Sequence, residues 1–232
     1  MSYIGTNKIK KLYLGTTAIK KAYLGTSLVY QSAVPVFYDR LVFDGTAYID
    51  TDILPSNGDS FNVILGNETQ KVAQRVFMAG CTNNTNLGVI YTSSTTTTNR
   101  RVGFYYAVSS GAPSRNYAFS NTEYNLLFTP QRYGWNSNSY TYTKGSYAVN
   151  SALVIGANVS HSGQAFTGRM GTFYIYGSDA EGVTTASGFS SYTPKYTLRP
   201  CTYNGEAGLW CVENGKFYGN TNSSGSLSVT NI

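Results

Sequence analysis

The sequence predicts an all-β protein, an antiparallel sandwich preceded by a short β-repeat segment, and three observations predict it. Turn dipeptides (Asn57-Gly58, Asn83-Asn84, Ser110-Gly111, Asn204-Gly205, Asn214-Gly215) punctuate short runs of β-branched and aromatic residues at the spacing of antiparallel strands. No window of a dozen residues carries a helical apolar stripe, so helix is expected to be scarce. Only 12% of the residues are charged while 21 are Tyr, a balance that suits strands whose outer faces are kept wet by hydroxyls and amides. A chain of 232 residues has room for one sandwich and a small appendage.

The appendage is a ten-residue repeat: YIGTNKIKKL, YLGTTAIKKA, YLGTSLVYQS. Tyr3, Tyr13 and Tyr23 open the units, a Gly-Thr pair follows at 5-6, 15-16 and 25-26, and Ile9, Ile19 and Val29 close them. Each unit predicts two short strand pieces around its Gly-Thr turn. Three such hairpins bury too little apolar surface to offset their chain entropy, so they must lean on the sandwich, on other copies, or on a partner. Lys8, Lys10, Lys11, Lys20 and Lys21 give residues 1–38 five positive charges and no negative one, whereas 39–232 hold 12 basic against 11 acidic residues. These lysines either protect exposed strand edges or meet an acidic partner surface. Pro35 interrupts the chain at a joint, so residues 1–35 are read as an anchoring and oligomerisation segment and 36–232 as the sandwich. Stacking three decapeptide ladders around one axis would cover the Tyr and Ile positions symmetrically and predicts a homotrimer, with the Lys pairs at 10-11 and 20-21 facing outward.

Along the sandwich, residues 41–53 (LVFDGTAYIDTDI) read as a strand pair around Asp44-Gly45-Thr46, stopped by Pro55. Further strands are expected over 61–65, 76–78, 87–92, 102–107, 124–129, 140–143, 152–155, 171–176, 209–212 and 216–218. The first strands are expected to pair beside the last, near 216–229.

These residues also carry a resemblance. An aromatic followed by DGTAYIDT resembles the first strands of the concanavalin A-like (laminin-G-like) jelly rolls of bacteriophage fibre and adhesion proteins and bacterial surface proteins. Residues 199–220, RPCTYNGEAGLWCVENGKFYGN, look like their closing strands. Phe166 and Gly168, the run 173–176 and the acidic turn 179–182 match steps between, while 183–198 depart from the pattern. The similarity spans about residues 39–228. Repeats of the form YLGT-x-x-I-K-K resemble N-terminal modules of phage virion proteins, placed ahead of a lectin-like or fibre domain. The resemblance implies a virion structural protein, a head or tail fibre or capsid decoration subunit, anchored to other virion proteins by its repeat and adhering to host or mucin glycans. Threefold symmetry is what long phage fibres adopt, which agrees with the trimer.

The chemistry of catalysis is thin. Asp50 and Asp52 share one strand face, but the third position of a jelly-roll glucanase pattern is Leu54, so no catalytic residue is assigned. The only histidine, His161, has no G-x-S-x-G elbow and reads as a loop residue. Asp50 and Asp52 fall short of a calcium shell and read as turn anchors. Cys81, Cys201 and Cys211 are odd in number and lack metal spacing, so they read as free thiols of a reducing cytoplasm, with no metal or cofactor expected. The start shows no secretory h-region, and no apolar run reaches membrane-helix length. Neither membrane insertion nor a nucleic-acid partner is expected, and the chain is expected in the virion after assembly in the host cytoplasm. Aromatic rings amid amides suit a sugar, so Tyr133, Trp135, Asn136, Asn138 and Tyr140, with Tyr105 nearby, are candidate glycan contacts. Packing of the sandwich interior is the other reading of the same rings. The rival functions are a carbohydrate-active enzyme (glycosidase or lyase), which the missing acidic triad opposes, and a secreted bacterial lectin, which the missing signal opposes.

Overall fold

The computed structural model describes residues 3–4, 7–8, 12–14, 17–19, 21–24, 27–31, 33–66, 74–81, 86–92, 99–106, 114–118, 123–143, 148–161 and 165–232. β1 (Tyr3–Ile4) with β2 (Asn7–Lys8), β3 (Leu12–Leu14) with β4 (Thr17–Ile19), and β5 (Lys21–Leu24) with β6 (Ser27–Gln31) form three antiparallel hairpins. The pairings Ile4↔Asn7, Leu14↔Thr17 and Leu24↔Ser27 each leave a Gly-Thr pair between the strands, as the repeat predicts. Among the described residues each hairpin is a two-stranded sheet of its own and adds no strand to the sandwich.

The sandwich follows as β7 (Val36–Phe37), β8 (Arg40–Asp44), β9 (Ile49–Asp50), β10 (Ser60–Gly66), β11 (Gln74–Gly80), β12 (Asn86–Thr92), β13 (Asn99–Tyr106) and β14 (Ser114–Ala118). Its second half is β15 (Tyr124–Phe128), β16 (Arg132–Trp135), β17 (Asn138–Thr141), β18 (Val154–Ile155), β19 (Thr167–Tyr176), β20 (Tyr196–Tyr203), β21 (Glu206–Cys211), β22 (Lys216–Gly219) and β23 (Leu227–Thr230). One sheet runs β17-β16-β15-β10-β19-β20-β21-β22, with β8 joining β19 to β23 and β7 added to β20. The other runs β14-β13-β12-β11-β18-β9. All the strand pairs are antiparallel.

Alternation builds the interior. Phe61, Val63 and Leu65 of β10 are fully buried, and Phe77 of the facing sheet lies 5.4 Å from Phe61 and 4.9 Å from Phe173, ring centre to ring centre. Phe128 and Phe104 extend this aromatic layer at 5.7 Å from Phe61 and 5.6 Å from Phe128. Such tilted and edge-on pairs are favoured beyond the area they bury. A second apolar cluster lies on the outer face of the large sheet, where Tyr176 stacks on Phe189 at 4.5 Å under two 3-10 helices, Ser178–Ala180 and Ala186–Ser191. Residues 183–198, where the family resemblance weakens, supply most of that cover.

Two expectations change. Residues 41–53 are not a hairpin: β8 pairs with β19 and β23, whereas β9 pairs with β18 in the other sheet. The Asp44 turn is a corner that passes the chain between layers. Residues 132–135, outside the strands expected above, pair with Asn138–Thr141 as the β16–β17 hairpin, with Asn136 at φ 54° in its two-residue turn. Elsewhere Asn204 (φ 55°) and Gly205 (φ 85°) make the two-residue turn with positive φ at both positions that an Asn-Gly hairpin calls for. The expected pairing of the chain's ends holds, with Leu41 opposite Val229 and Phe43 opposite Leu227. The turns at 83-84 and 110-111 lie outside the described residues.

Two measurements check this interior. Phe77→Ala should cost about 3–5 kcal/mol in urea unfolding, because it removes the ring that three buried aromatics share. Cys81, Cys201 and Cys211 form no disulfide and are buried. Burial pushes the Cys201 thiol up to about 11 and raises that of Cys211, and the thiolate is the nucleophile. Native protein at pH 8 should therefore resist alkylation at these positions, and unfolded protein should take three adducts by intact mass.

Candidate functional site

The two sheets meet along a polar seam between their end strands, β9 and β22. Lys216 Nζ and Tyr218 Oη both donate to the carboxylate of Asp52, just past β9. These two hydrogen bonds hold the Asp52 carboxyl below its ordinary value, while burial and the same contact push the Tyr218 phenol up. Thr221 accepts from the Asp50 N–H at 2.9 Å and its own N–H donates to the Tyr48 carbonyl at 2.8 Å. The Asn220 side chain accepts from the N–H of Tyr48 (3.3 Å) and donates to the carbonyls of Asn222 and Gly225 (2.7 Å each). Beside the seam, His161 Nε2 hydrogen-bonds Asp50 Oδ1 at 2.7 Å and its ring stacks on Tyr48 at 4.4 Å.

The Asp44 corner closes the same seam from below. Its Oδ1 accepts from the N–H groups of Thr46 and Ala47 and the Thr46 hydroxyl, all at 2.8 Å, and its Oδ2 from the Ser226 N–H at 2.6 Å. Burial pushes the Asp44 carboxyl up, but those donors outweigh it and hold the group well below the usual carboxylate range. The chain's first corner and its last loop are thus one hydrogen-bonded unit.

Above the seam is an open groove of about 510 Å³, with Asp50, Asp52, Glu206, Lys216, Phe217 and Thr221 along its walls. Glu206 also borders a neighbouring hollow of about 380 Å³ over Asn220 and Ser226. Among the described residues no three His, Cys, Asp or Glu side chains converge as a metal shell. The lowered pKa of Asp52 is opposite in direction to what a general acid needs at neutral pH.

Next to the groove the outer face of β20–β22 carries three half-buried rings. Tyr203 lies 5.3 Å from Trp210 and 5.4 Å from Phe217. The register Trp210↔Phe217 sets two of them side by side and Tyr203, opposite Glu206, meets both, while Leu209, Cys211 and Tyr218 fill the interior from the same strands. Phe217 lies over Gly208 and Gly219: a Cβ there would come within 2.8 and 3.0 Å of its ring, so side chains at those positions would lift it off the sheet. The Arg199 guanidinium is drawn aside over the Phe37 ring at 4.0 Å.

The glycan contacts expected from sequence fall elsewhere, on the β16–β17 hairpin. Tyr133 is 3% exposed and packs on Phe104 at 4.6 Å, so its ring belongs to the core. Trp135 and Tyr140 are half-buried against the same core, 5.9 Å apart. Asn136 closes the turn, accepting from the Asn125 N–H at 2.9 Å, and Asn138 is exposed. The Tyr105 side chain lies outside what is described. Of the repeat residues, Tyr3, Lys8, Tyr13, Ile19, Lys21, Tyr23 and Val29 lie in the hairpin strands, Lys21 and Tyr23 with exposed side chains. Ile9, Lys10, Lys11 and Lys20 lie outside the described residues. Sequence reasoning passed over Trp210, Phe217 and Glu206, although the Asn-Gly turn at 204-205 implies the register that aligns β20 with β21.

Two antiparallel sheets closed by their first and last strands define a concanavalin A-like jelly roll. The chain is similar in structure to the native heptameric SAP-like pentraxin of Limulus polyphemus, at 12% sequence identity, a TM-score of 0.55, and coverage of 85% of this chain and 98% of that one. At that identity the likeness shows the fold. No family model matches the chain, and no curated protein does.

The Asp44 corner is testable by pH. Its folded pKa is depressed, so its contribution is present above its unfolded value of 3.8 and fades as pH falls below it. Asp44→Ala should melt about 2–4 °C lower than wild type at pH 7, for a loss of about 1 kcal/mol at this exposed site. The gap should narrow steadily between pH 4 and pH 2.

Proposed function

We propose that this chain is a structural protein of a bacteriophage virion, a head or tail fibre or capsid decoration subunit. Its N-terminal hairpins would anchor it and its jelly roll would project to adhere to host or mucosal glycans. The observation that carries this reading is the array of three ten-residue hairpins, each its own sheet, set ahead of a complete sandwich. Hairpins of that size do not support themselves. Since they add no strand to the sandwich, the missing apolar cover must come from side packing, from other copies, or from a partner.

Self-association fits best, with three ladders about one axis forming a homotrimer. That a protein of this fold is heptameric supports assembly as compatible with the sandwich; the number three comes from the repeat and from the resemblance to phage fibres. The five lysines of the segment would form a basic collar toward an acidic surface of another virion protein. Adhesion without catalysis agrees with an Asp52 that is held ionised by an ammonium and a phenol rather than poised as an acid.

Light scattering tests the assembly. The full chain is expected at three times its 25.2 kDa, and a chain beginning at Val36 at the mass of a single copy of its own shorter sequence. A monomeric full chain, or a truncated one that stays trimeric, shows that the repeat does not drive assembly. Recovery of the chain from purified phage particles tests the location, and its absence from them overturns the virion reading.

A further inference from the structure

We propose that the outer face of β20–β22, with the groove beside it, is a binding site for neutral glycans: saccharide rings stack on Trp210 and Phe217, hydroxyls reach Glu206 at the groove's rim, and acidic sugars are turned away. This rests on the adhesion reading above and gives it a place in the fold.

The rings come first. Tyr203, Trp210 and Phe217 form one apolar surface on the outward side of three neighbouring strands, with the Tyr203 centre 5.3 Å from that of Trp210 and 5.4 Å from that of Phe217. The sandwich does not need them for its interior, because Leu198, Leu209, Cys211 and Tyr218 of the same strands are buried there. The other outward aromatic cluster of this sheet, Tyr176 with Phe189, is roofed by the 3-10 helices. Among the described residues the trio has no such helical roof, and Phe217 lies close over Gly208 and Gly219. The rings are tilted to one another, by 47° between Tyr203 and Trp210 and 39° between Tyr203 and Phe217. Each ring face by itself is therefore the match for the C–H face of a pyranose, whose rim then needs polar partners at its side.

Those partners stand where the rings end. Phe217 is both the last ring of the trio and a wall of the groove, and exposed Glu206 stands at the rim of both the groove and the adjoining hollow. Asp52 is already engaged by Lys216 and Tyr218, and Asp50 by His161. Glu206 is therefore the carboxylate placed to receive hydroxyls. Charge selects the sugar: Asp50, Asp52 and Glu206 face one ammonium, Lys216, so a sialic acid or uronate would enter a net negative groove. Arg199, opposite Trp210 on β20, has its guanidinium stacked over the Phe37 ring.

The test is an array of neutral hexose and N-acetylhexosamine oligosaccharides beside sialylated and uronate-bearing ones. It is run on the full chain and followed by titration of the best ligand. Wild type is expected to bind neutral glycans, Trp210→Ala and Phe217→Ala to bind them about tenfold more weakly or worse, and Trp210→Phe to retain most of the affinity. Glu206→Gln should lose discrimination against acidic sugars. Should an alanine variant melt early, Trp210→Phe and Glu206→Gln carry the test. Neutral-glycan binding untouched by Trp210→Ala and Phe217→Ala, or lost with Trp135→Phe instead, overturns this site and leaves the adhesion reading standing. Preference for acidic glycans overturns the charge argument, and binding of no glycan overturns site and adhesion together. A change of mass in light scattering for Trp210→Ala, with glycan binding intact, would assign the rings to a second copy of the chain and overturn the proposal.

Discussion

The ten residues of β19 hold the architecture, because one of its edges serves a single partner and the other serves two. Along one side it pairs with β10 from Ser60↔Tyr176 to Gly66↔Arg169. Along the other, Thr167 to Met170 pair with β8, and Phe173 to Ile175 pair with β20. The sheet forks between them, at Gly171, where a Cβ would come 3.2 Å from Ile64 and 3.3 Å from the Arg40 guanidinium. Arg40, 8% exposed, is paired there with Glu123 and donates to the Asp39 carbonyl at 2.7 Å. A buried guanidinium needs such a full set of acceptors. Because the fork sends β8 and β23 one way and β20–β22 the other, the end strands of both sheets are left side by side, and the seam is where they meet.

What could be read ahead of the structure was local. The Asn204-Gly205 turn implies a two-residue hairpin, and once it is granted, Arg199 must face Trp210. The Gly-Thr pairs likewise imply the three small hairpins. What could not be read was which layer receives a strand. Asp44, Gly45 and Thr46 have the chemistry of a tight turn wherever the chain goes next; the structure uses Asp44 to tie a corner to Ser226, 182 residues away. The rings at 133–140 show the same limit. Alternation says that Tyr133 and Trp135 share a face, but only the position of Phe104 on the opposite sheet makes that face the inside.

The seam also answers a question raised by the composition. Sandwiches protect their end strands with charge, and here only 12% of residues are charged. The protection at β22 is instead local: Lys216 is on the strand itself, its ammonium held by Asp52, and the chain after Gly219 turns at once into the Asn220–Thr221 contacts with Tyr48 and Asp50. Those contacts leave a polar groove rather than a bare strand edge. A molecule poor in surface charge thus concentrates carboxylates, an ammonium and amides where its sheets end. The rings on the adjoining face lie within reach of that polar line because β22 carries both, Phe217 outward and Lys216 and Tyr218 toward Asp52. Edge protection and a place for a ligand are then consequences of the same four-residue strand.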